Sequence, residues 1–206
     1  VMLIALFYVA SCAQRTVAGG RFGSYFWLLA VALAASLAGD VFLMLKGLFI
    51  PGLVSFLVAH LFYIALFKQG VPWFPSRRAL AIPLAIGGGM YAFLWAGGLP
   101  AALRLPVAAY VAVIALMAAQ ALGRASVLRT PASVGVAAGA CVFMLSDSVL
   151  ATNRFVVALP LGQFWVLATY YVAQFLIVRN TVAGAPAPVA DQPSAVQRLV
   201  SSATVR

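Results

Sequence analysis

The feature that constrains the fold most strongly is a succession of hydrophobic runs separated by short polar or basic breaks. A helix needs roughly 20 apolar residues to cross about 30 Å of hydrocarbon, and most of the runs approach this length. Lipid offers no water to the backbone, so runs of this kind predict transmembrane helices. The seven runs are Val1–Ala13, Tyr25–Leu45, Leu48–Phe67, Ala79–Ala96, Leu105–Leu122, Pro131–Ala151 and Pro160–Val178.

Composition agrees with an all-α, polytopic transmembrane bundle. Hydrophobic residues make up 65% of the chain and charged residues 8%, whereas soluble domains carry about 25% charged residues. We expect one membrane domain at residues 1–178 and a disordered cytoplasmic tail at residues 179–206, which is too rich in Ala, Pro and Ser to form a core. The first run is short and has no initiator Met, so we expect it to be truncated and the full-length protein to have eight helices.

The basic residues predict the orientation of the bundle. Counted between runs, ten Lys or Arg residues fall on one side and three on the other. The positive-inside rule makes the richer side, with the C-terminus, cytoplasmic, as in a multi-pass protein of a bacterial-type plasma (inner) membrane. The formal net charge is +10, but the basic residues are scattered singly or in pairs. They therefore predict contact with membrane lipids rather than nucleic acid, and no protein partner is evident.

No motif in the sequence predicts a metal or a cofactor. Cys12, Cys141, His60 and the acidic residues do not occur at metal-ligand spacing. The glycines at 87–89 follow no predicted strand and precede no Gly-Lys-Ser/Thr, so they are not a phosphate loop. Close helix packing is the expected use of these glycines.

Two of the three acidic residues lie inside hydrophobic runs. Asp40 is in the second run and Asp147 in the sixth, whereas Asp191 is in the tail. A charged residue at the bilayer centre costs roughly 2.5 to 3.5 kcal/mol on insertion scales, and such residues normally mark a site in the bundle interior. Each acid ends a one-sided helical stripe with small residues that permit close helix contact: Leu28, Ala32, Ser36 and Asp40, and Gly135, Gly139, Phe143 and Asp147.

Both acid-bearing runs cross in the same direction, so the two carboxyl groups are predicted at a similar depth near the outer side. The runs that turn back carry polar residues: His60 and Tyr63 in the third, and Tyr170, Tyr171 and Gln174 in the seventh. An intramembrane His is a site candidate by default. A histidine that is hydrogen-bonded within the bundle is an equally weighted alternative.

At these residues the chain resembles the YhhN-like family, whose animal members are lysoplasmalogenases. Family members look like eight-helix proteins with both ends cytoplasmic. The resemblance covers the chain from about Tyr25 to Val178. The stretches that carry it are Ser36–Leu43, Phe49–Leu53, Phe56, Ala59–Tyr63, Gly139–Ser148, Asn153–Phe155, Thr169–Tyr171 and Gln174.

The resemblance implies hydrolysis of the vinyl-ether bond of a lysophospholipid, giving a fatty aldehyde and a glycerophospho-alcohol. Such a bond opens when its outer alkene carbon is protonated, and water attacks the resulting oxocarbenium ion. Burial disfavours the charged form of a carboxyl group, and a second carboxyl nearby separates the two titrations. Our hypothesis is an acid/base pair of Asp40 and Asp147, with a basic residue at the outer rim for the phosphate. The orienting or binding candidates are His60, Tyr63, Ser146, Asn153, Tyr170, Tyr171, Gln174, Lys46 and Arg154.

The main alternative is a small proton-coupled transporter or lipid-binding membrane protein. Intramembrane Asp residues are common in proton relays, so the same two acids fit that role. A cavity shared by both carboxyl groups is the geometric expectation of the acid/base hypothesis.

Overall fold

The structure, a computed structural model, describes residues 2–14 and 20–185. Within these ranges it contains seven α-helices and no strand. Six of them are long and apolar enough to cross a membrane, and α1 contributes a shorter apolar stretch. The predicted polytopic helix bundle is therefore confirmed. The helices are α1 (Met2–Gln14), α2 (Gly20–Met44), α3 (Phe49–Lys68), α4 (Arg77–Ala96), α5 (Ala101–Leu128), α6 (Pro131–Phe155) and α7 (Gly162–Ala183).

The predicted boundary between membrane domain and tail falls inside the last helix. Helix α7 continues to Ala183, so residues 179–183 of the predicted tail are helical. Residues 186–206 of that tail lie outside the described residues.

Three connections meet at one end of the bundle, here called end A. They join α2 to α3, α4 to α5 and α6 to α7. The rings of Phe49 at the start of α3 and Phe155 at the end of α6 lie 5.5 Å apart. Gly97 after α4 lies against Val156 after α6. These contacts bring together the start of α3 and the ends of α4 and α6.

The opposite end, end B, carries the α3–α4 and α5–α6 connections. The Arg124 guanidinium of α5 donates hydrogen bonds to the carbonyls of Phe67 and Gln69 where α3 ends. The α5–α6 connection is only two residues long because Thr130 and Ser133 form a capping box that starts α6 at once. These contacts at end B therefore fix the positions of α3, α5 and α6 relative to one another.

Helix α5 is central to the arrangement, since it packs against α3, α4 and α6. Helix pairs α2–α3 and α6–α7 flank it, and α1 packs against α2 and α7. Helix α4 is the most peripheral of the six long helices, because only Pro83, Gly87 and Leu94 along it are buried. The bundle interior therefore lies among α2, α3, α5, α6 and α7.

Glycine permits close helix contact at two places beside the acidic residues. A Cβ atom added at Gly39 would lie 2.6 Å from the Phe56 ring of α3. One added at Gly139 would lie 3.0 Å from the Ala173 carbonyl oxygen of α7. The predicted small-residue contact on α6 is confirmed.

The three glycines of α4 do not share one role. Gly87 lies close to Val111 and Ala115 of α5, as the packing interpretation predicts. Cβ atoms at Gly88 and Gly89 would have no heavy atom within 4 Å. Helix packing therefore accounts for Gly87 and does not account for the other two.

Candidate active site

Asp147 on α6 is held by a tyrosine from the neighbouring helix α5. The Tyr110 hydroxyl donates a hydrogen bond of 2.5 Å to Asp147 Oδ2. Tyr110 is 8% exposed, so the pair lies inside the bundle. Among the described residues Oδ1 of Asp147 has no hydrogen-bond donor, yet it is not one of the sealed, unpartnered buried atoms. Oδ1 therefore keeps accessible surface.

Asp40 on α2 has a similar partner on α7. The Tyr170 hydroxyl donates to Asp40 Oδ2 over 3.2 Å. One turn further along α7, Gln174 Oε1 accepts a 2.6 Å hydrogen bond from the Tyr63 hydroxyl, and Gln174 Nε2 lies 3.3 Å from Ser36 Oγ. This buried polar network joins α2, α3 and α7 beside Asp40.

A cluster of aromatic rings lies between the two tyrosines. The Phe143 ring is 5.4 Å from the Tyr170 ring and 4.8 Å from the His60 ring. The His60 ring is in turn 5.3 Å from the Tyr110 ring. Phe56 adds a further edge contact with Tyr170, at 5.8 Å. The Asp40–Tyr170 and Asp147–Tyr110 pairs are therefore connected by continuous ring contacts.

His60 is the most unusual member of this aromatic cluster. It is fully buried, and neither ring nitrogen has a partner with hydrogen-bond geometry. Buried polar atoms normally have a partner, so His60 retains hydrogen-bonding capacity next to Tyr110.

An internal cavity lies among α3, α4, α5 and α6. Its volume is about 60 Å³. This is room for on the order of five water molecules. Its walls are mainly apolar, and its polar lining comes from Tyr110, Asp147, Ser148 and Arg154. Apolar walls with a few placed polar groups are typical of small-molecule sites. Asp40 is not among the residues that line this cavity.

Arg154 lies at the end A rim of the cavity. Its side chain is exposed, and its guanidinium carbon lies 5.0 Å from the centre of the Phe49 ring. Seven residues separate it from Asp147 along α6, a rise of about 10 Å. Lys46 is also exposed at end A but does not line the cavity. A cation at the rim and a carboxyl group about 10 Å along α6 from it therefore line the same cavity.

The other predicted site residues brace the helices around it. Ser146 Oγ donates a 3.0 Å hydrogen bond to the Val166 carbonyl of α7. Asn153 Oδ1 accepts one of 2.8 Å from the Leu159 amide in the α6–α7 connection. Tyr171 is partly buried, with its ring 5.3 Å from that of Tyr170. None of these three side chains lines the cavity.

Tyr110 is the site residue that sequence reasoning did not assign. The sequence shows it only as a polar residue in the fifth run, where an internal hydrogen bond is expected. Its depth was a usable signal, because it lies nine residues from the end A terminus of α5 and Asp147 lies eight from that of α6. Both positions are then about 12 to 13 Å from the same end.

A metal-binding group does not occur among the described residues: no three His, Cys, Asp or Glu side chains lie together there. Comparison with known proteins identifies the chain more directly. Residues 1–181 match the YhhN family. The chain belongs to the YhhN family. The match to the YhhN family thus includes both acid-bearing helices of this YhhN protein and the helices that carry their tyrosine partners.

Several curated proteins resemble this YhhN protein over most of its length. Lysoplasmalogenase TMEM86B of Homo sapiens is 34% identical over 169 residues, which cover 82% of this chain and 69% of that protein. Lysoplasmalogenase TMEM86A of Homo sapiens is 32% identical over 157 residues, covering 74% and 64%. A lysoplasmalogenase of Mycobacterium tuberculosis (strain CDC 1551 / Oshkosh) is 31% identical over 172 residues, covering 79% and 62%. The matched part thus spans about two thirds of these relatives. No solved structure matches the chain significantly.

Proposed function

We propose that this protein hydrolyses the vinyl-ether bond of lysoplasmalogen-type lysophospholipids, releasing a fatty aldehyde and a glycerophospho-alcohol. The observation that carries the proposal is a carboxyl group, that of Asp147, facing an apolar cavity with a cation at its rim. The names of the curated relatives point to the same reaction.

The chemistry requires an acid that still holds its proton. Apolar surroundings favour the uncharged form of a carboxyl group, which is the form that can protonate an alkene carbon. Asp147 combines such surroundings with accessible surface. These two properties support Asp147 as a functional carboxyl.

We propose that Asp40 is the second member of an acid/base pair. Each carboxyl accepts a hydrogen bond from a tyrosine, and both tyrosines contact the same central rings. Asp40 does not line the cavity beside Asp147, so this cavity is not the shared one expected from the sequence. Two coupled buried carboxyl groups would titrate as a pair, so one could hold the proton while the other is ionised. The cluster between them is the structural support for this coupling.

The dimensions of the cavity suggest how a lipid binds. A phosphate held by Arg154 would lie about 10 Å above Asp147. Lys46 does not line the cavity and takes no part in this contact. Below Asp147, the α6 lining ends at Met144, three residues or about 4.5 Å deeper. One leaflet of hydrocarbon is about 15 Å thick, so a lipid chain must leave the cavity sideways into the bilayer. This geometry fits an amphiphile with one chain.

The remaining candidates have orienting roles in this proposal. Tyr170 holds Asp40, and Tyr63 and Gln174 hold the network beside it. His60 supports the Tyr110 ring. In the same way, the helix contacts of three further residues keep α6 and α7 in place near the site: Ser146, Asn153 and Tyr171.

We further propose a bacterial-type inner membrane location with end B and the C-terminus in the cytoplasm. Of the nine Lys and Arg residues from Lys46 to Arg179, six lie at end B and three at end A. No contact of the described residues favours the transporter or lipid-binding alternative over hydrolysis.

The test is aldehyde release from a lysoplasmalogen by the purified full-length protein in detergent. We expect release from the vinyl ether and none from the saturated alkyl ether with the same head group. A general acid contributes roughly 10²- to 10⁴-fold, so Asp147→Asn and Asp40→Asn should each lose at least about 100-fold in kcat. Asp191→Asn, outside the membrane domain, is the control. Wild-type protein that releases no aldehyde from any vinyl-ether lipid contradicts the proposal.

A further inference from the structure

We propose that Asp147 delivers its proton to the substrate from Oδ1, and that Tyr110 is the positioning residue that keeps this oxygen available by holding Oδ2. The inference rests on the proposed function and divides the roles of the two carboxyl groups. It makes Asp147 the acid that meets the substrate and places Asp40 outside the cavity, behind the Phe56 and Tyr170 rings.

The proposal assigns the donor of the Tyr110–Asp147 hydrogen bond to the Tyr110 hydroxyl, and this assignment fixes which oxygen carries the proton. A protonated carboxyl has one hydroxyl oxygen that donates and one carbonyl oxygen that accepts. Because Tyr110 donates to Oδ2 over 2.5 Å, Oδ2 is the accepting oxygen. The proton of Asp147 therefore belongs on Oδ1.

Oδ1 is also the oxygen that a bound molecule can reach. No described residue donates to it, and it retains accessible surface. The carboxyl lines the cavity beside Ser148 and Tyr110. A substrate in the cavity would meet the Asp147 carboxyl, in which Oδ1 is the oxygen without a hydrogen bond from a described residue.

Asp40 lacks this access. It does not line the cavity, and its hydrogen bond from Tyr170 is longer, at 3.2 Å. The rings of Phe56 and Phe143 pack edge-on against Tyr170, and Phe56 itself forms cavity wall. Asp40 therefore reaches the cavity only through side chains that it helps to position.

The step balances with water as the co-reactant. The alkene π pair forms a C–H bond with the Oδ1 proton at the carbon remote from the ether oxygen, and the O–H bond of Asp147 breaks. Water then adds to the oxocarbenium carbon and returns a proton to the Asp147 carboxylate. The hemiacetal collapses to the aldehyde and the alcohol, so Asp147 ends protonated and no second carboxyl has to touch the substrate.

Among the groups that face Asp147, Tyr110 is the titratable side chain in direct contact with its carboxyl. Helix α4 contributes only Gly87, Met90 and Leu94 to the cavity, none of them titratable. From α6 itself Arg154 faces the cavity at the rim. The remaining titratable groups around it are Tyr110 from α5 in direct contact, and His60 from α3 and Tyr170 from α7 behind the rings.

The first test compares two matched hydroxyl deletions, Tyr110→Phe and Tyr170→Phe, by the pH dependence of kcat. Activity should fall at high pH as Asp147 ionises, and the Tyr110 hydroxyl stabilises the ionised form. Its removal should move this high-pH limb upward by about one pH unit and lower kcat about tenfold at the optimum, with KM nearly unchanged. Tyr170→Phe should leave the limb in place. An unchanged high-pH limb of kcat in Tyr110→Phe, or an equal shift of this limb in both variants, would overturn the proposal.

The second test needs no turnover. Infrared spectroscopy should show the carbonyl stretch of a protonated carboxyl that disappears in Asp147→Asn. In Tyr110→Phe this band should move to higher wavenumber, because the carbonyl oxygen loses its donor, and in Tyr170→Phe it should not move. A band unchanged in Tyr110→Phe overturns the assignment of Oδ2. If wild-type protein shows the Asp147 band and its Tyr110 dependence but releases no aldehyde, the proposed function fails and the pairing stands.

Discussion

At the scale of single residues, Arg154 and Asp147 place a cation and a carboxyl group in the wall of one cavity from the same helix. Seven residues separate them, so both lie on the cavity side of α6 at levels about 10 Å apart. The Phe49 ring lies under the guanidinium, and a cation over an aromatic face is held in place by the ring quadrupole. Arg154 is thus oriented at the rim although it is exposed.

Replacing Arg154 by Gln should weaken substrate binding and leave the chemical step intact. Hydrogen bonds to charged groups contribute about 1.5 to 3 kcal/mol, so KM for the phosphate-bearing lipid should rise roughly tenfold or more, with kcat within about twofold. Lys46→Gln is the matched control, because Lys46 is exposed at the same end but does not line the cavity. Equal effects of the two substitutions on KM would argue against a phosphate site at Arg154.

The acids and Tyr170 could be singled out from the sequence, but Tyr110 and the pairing of each tyrosine with its carboxyl group could not. Asp40 and Asp147 stand out because an acid in an apolar run is costly. Tyr110 and Ser36 are tolerated in apolar helices for many reasons, so composition does not single them out. Which tyrosine reaches which carboxyl depends on how each helix is rotated about its axis, and hydropathy carries little information about rotation.

At the scale of helices, hydropathy located the apolar centre of each span more accurately than its ends. The fifth run, Leu105–Leu122, lies inside the longer helix α5, Ala101–Leu128. Polar and basic residues such as Arg124 extend the helix beyond its apolar part, where hydrogen bonds at end B hold it. Pro106 also lies within α5, and membrane helices tolerate such interruptions when neighbours satisfy the freed backbone groups.

Two glycines on different helices provide a matched test of helix packing. Gly139→Ala places a Cβ atom 3.0 Å from the Ala173 carbonyl and 2.8 Å from Ile177 Cγ1, so it should push α6 from α7. Overpacking of this kind typically costs about 1 to 3 kcal/mol. Gly88→Ala meets open space and should be neutral or stabilising by up to about 1 kcal/mol, since alanine favours helix. Thermal unfolding in one detergent should show a lower midpoint for Gly139→Ala and an unchanged or higher one for Gly88→Ala; the reverse order would refute the α6–α7 contact.

At the scale of the whole molecule, the two ends of the bundle differ in their distance from the cavity rim and in their number of basic residues. The cavity has Arg154 at the end A rim, whereas most of the described basic side chains lie at end B. The alternation of runs and basic breaks predicted the excess of basic residues at end B. The position of the cavity was not predictable, because its wall combines residues of α2, α3, α4, α5 and α6 and not of any single segment.

The orientation can be measured with one cysteine on each end in a background of Cys12→Ser and Cys141→Ser. Lys46→Cys reports on end A and Arg78→Cys on end B, and both positions are exposed. Because positively charged residues are retained on the cytoplasmic side, a membrane-impermeant maleimide should label Lys46→Cys in intact cells. It should label Arg78→Cys only after the membrane is permeabilised. The opposite pattern would place the cavity mouth in the cytoplasm, so a lysophospholipid would have to reach Arg154 from the inner leaflet.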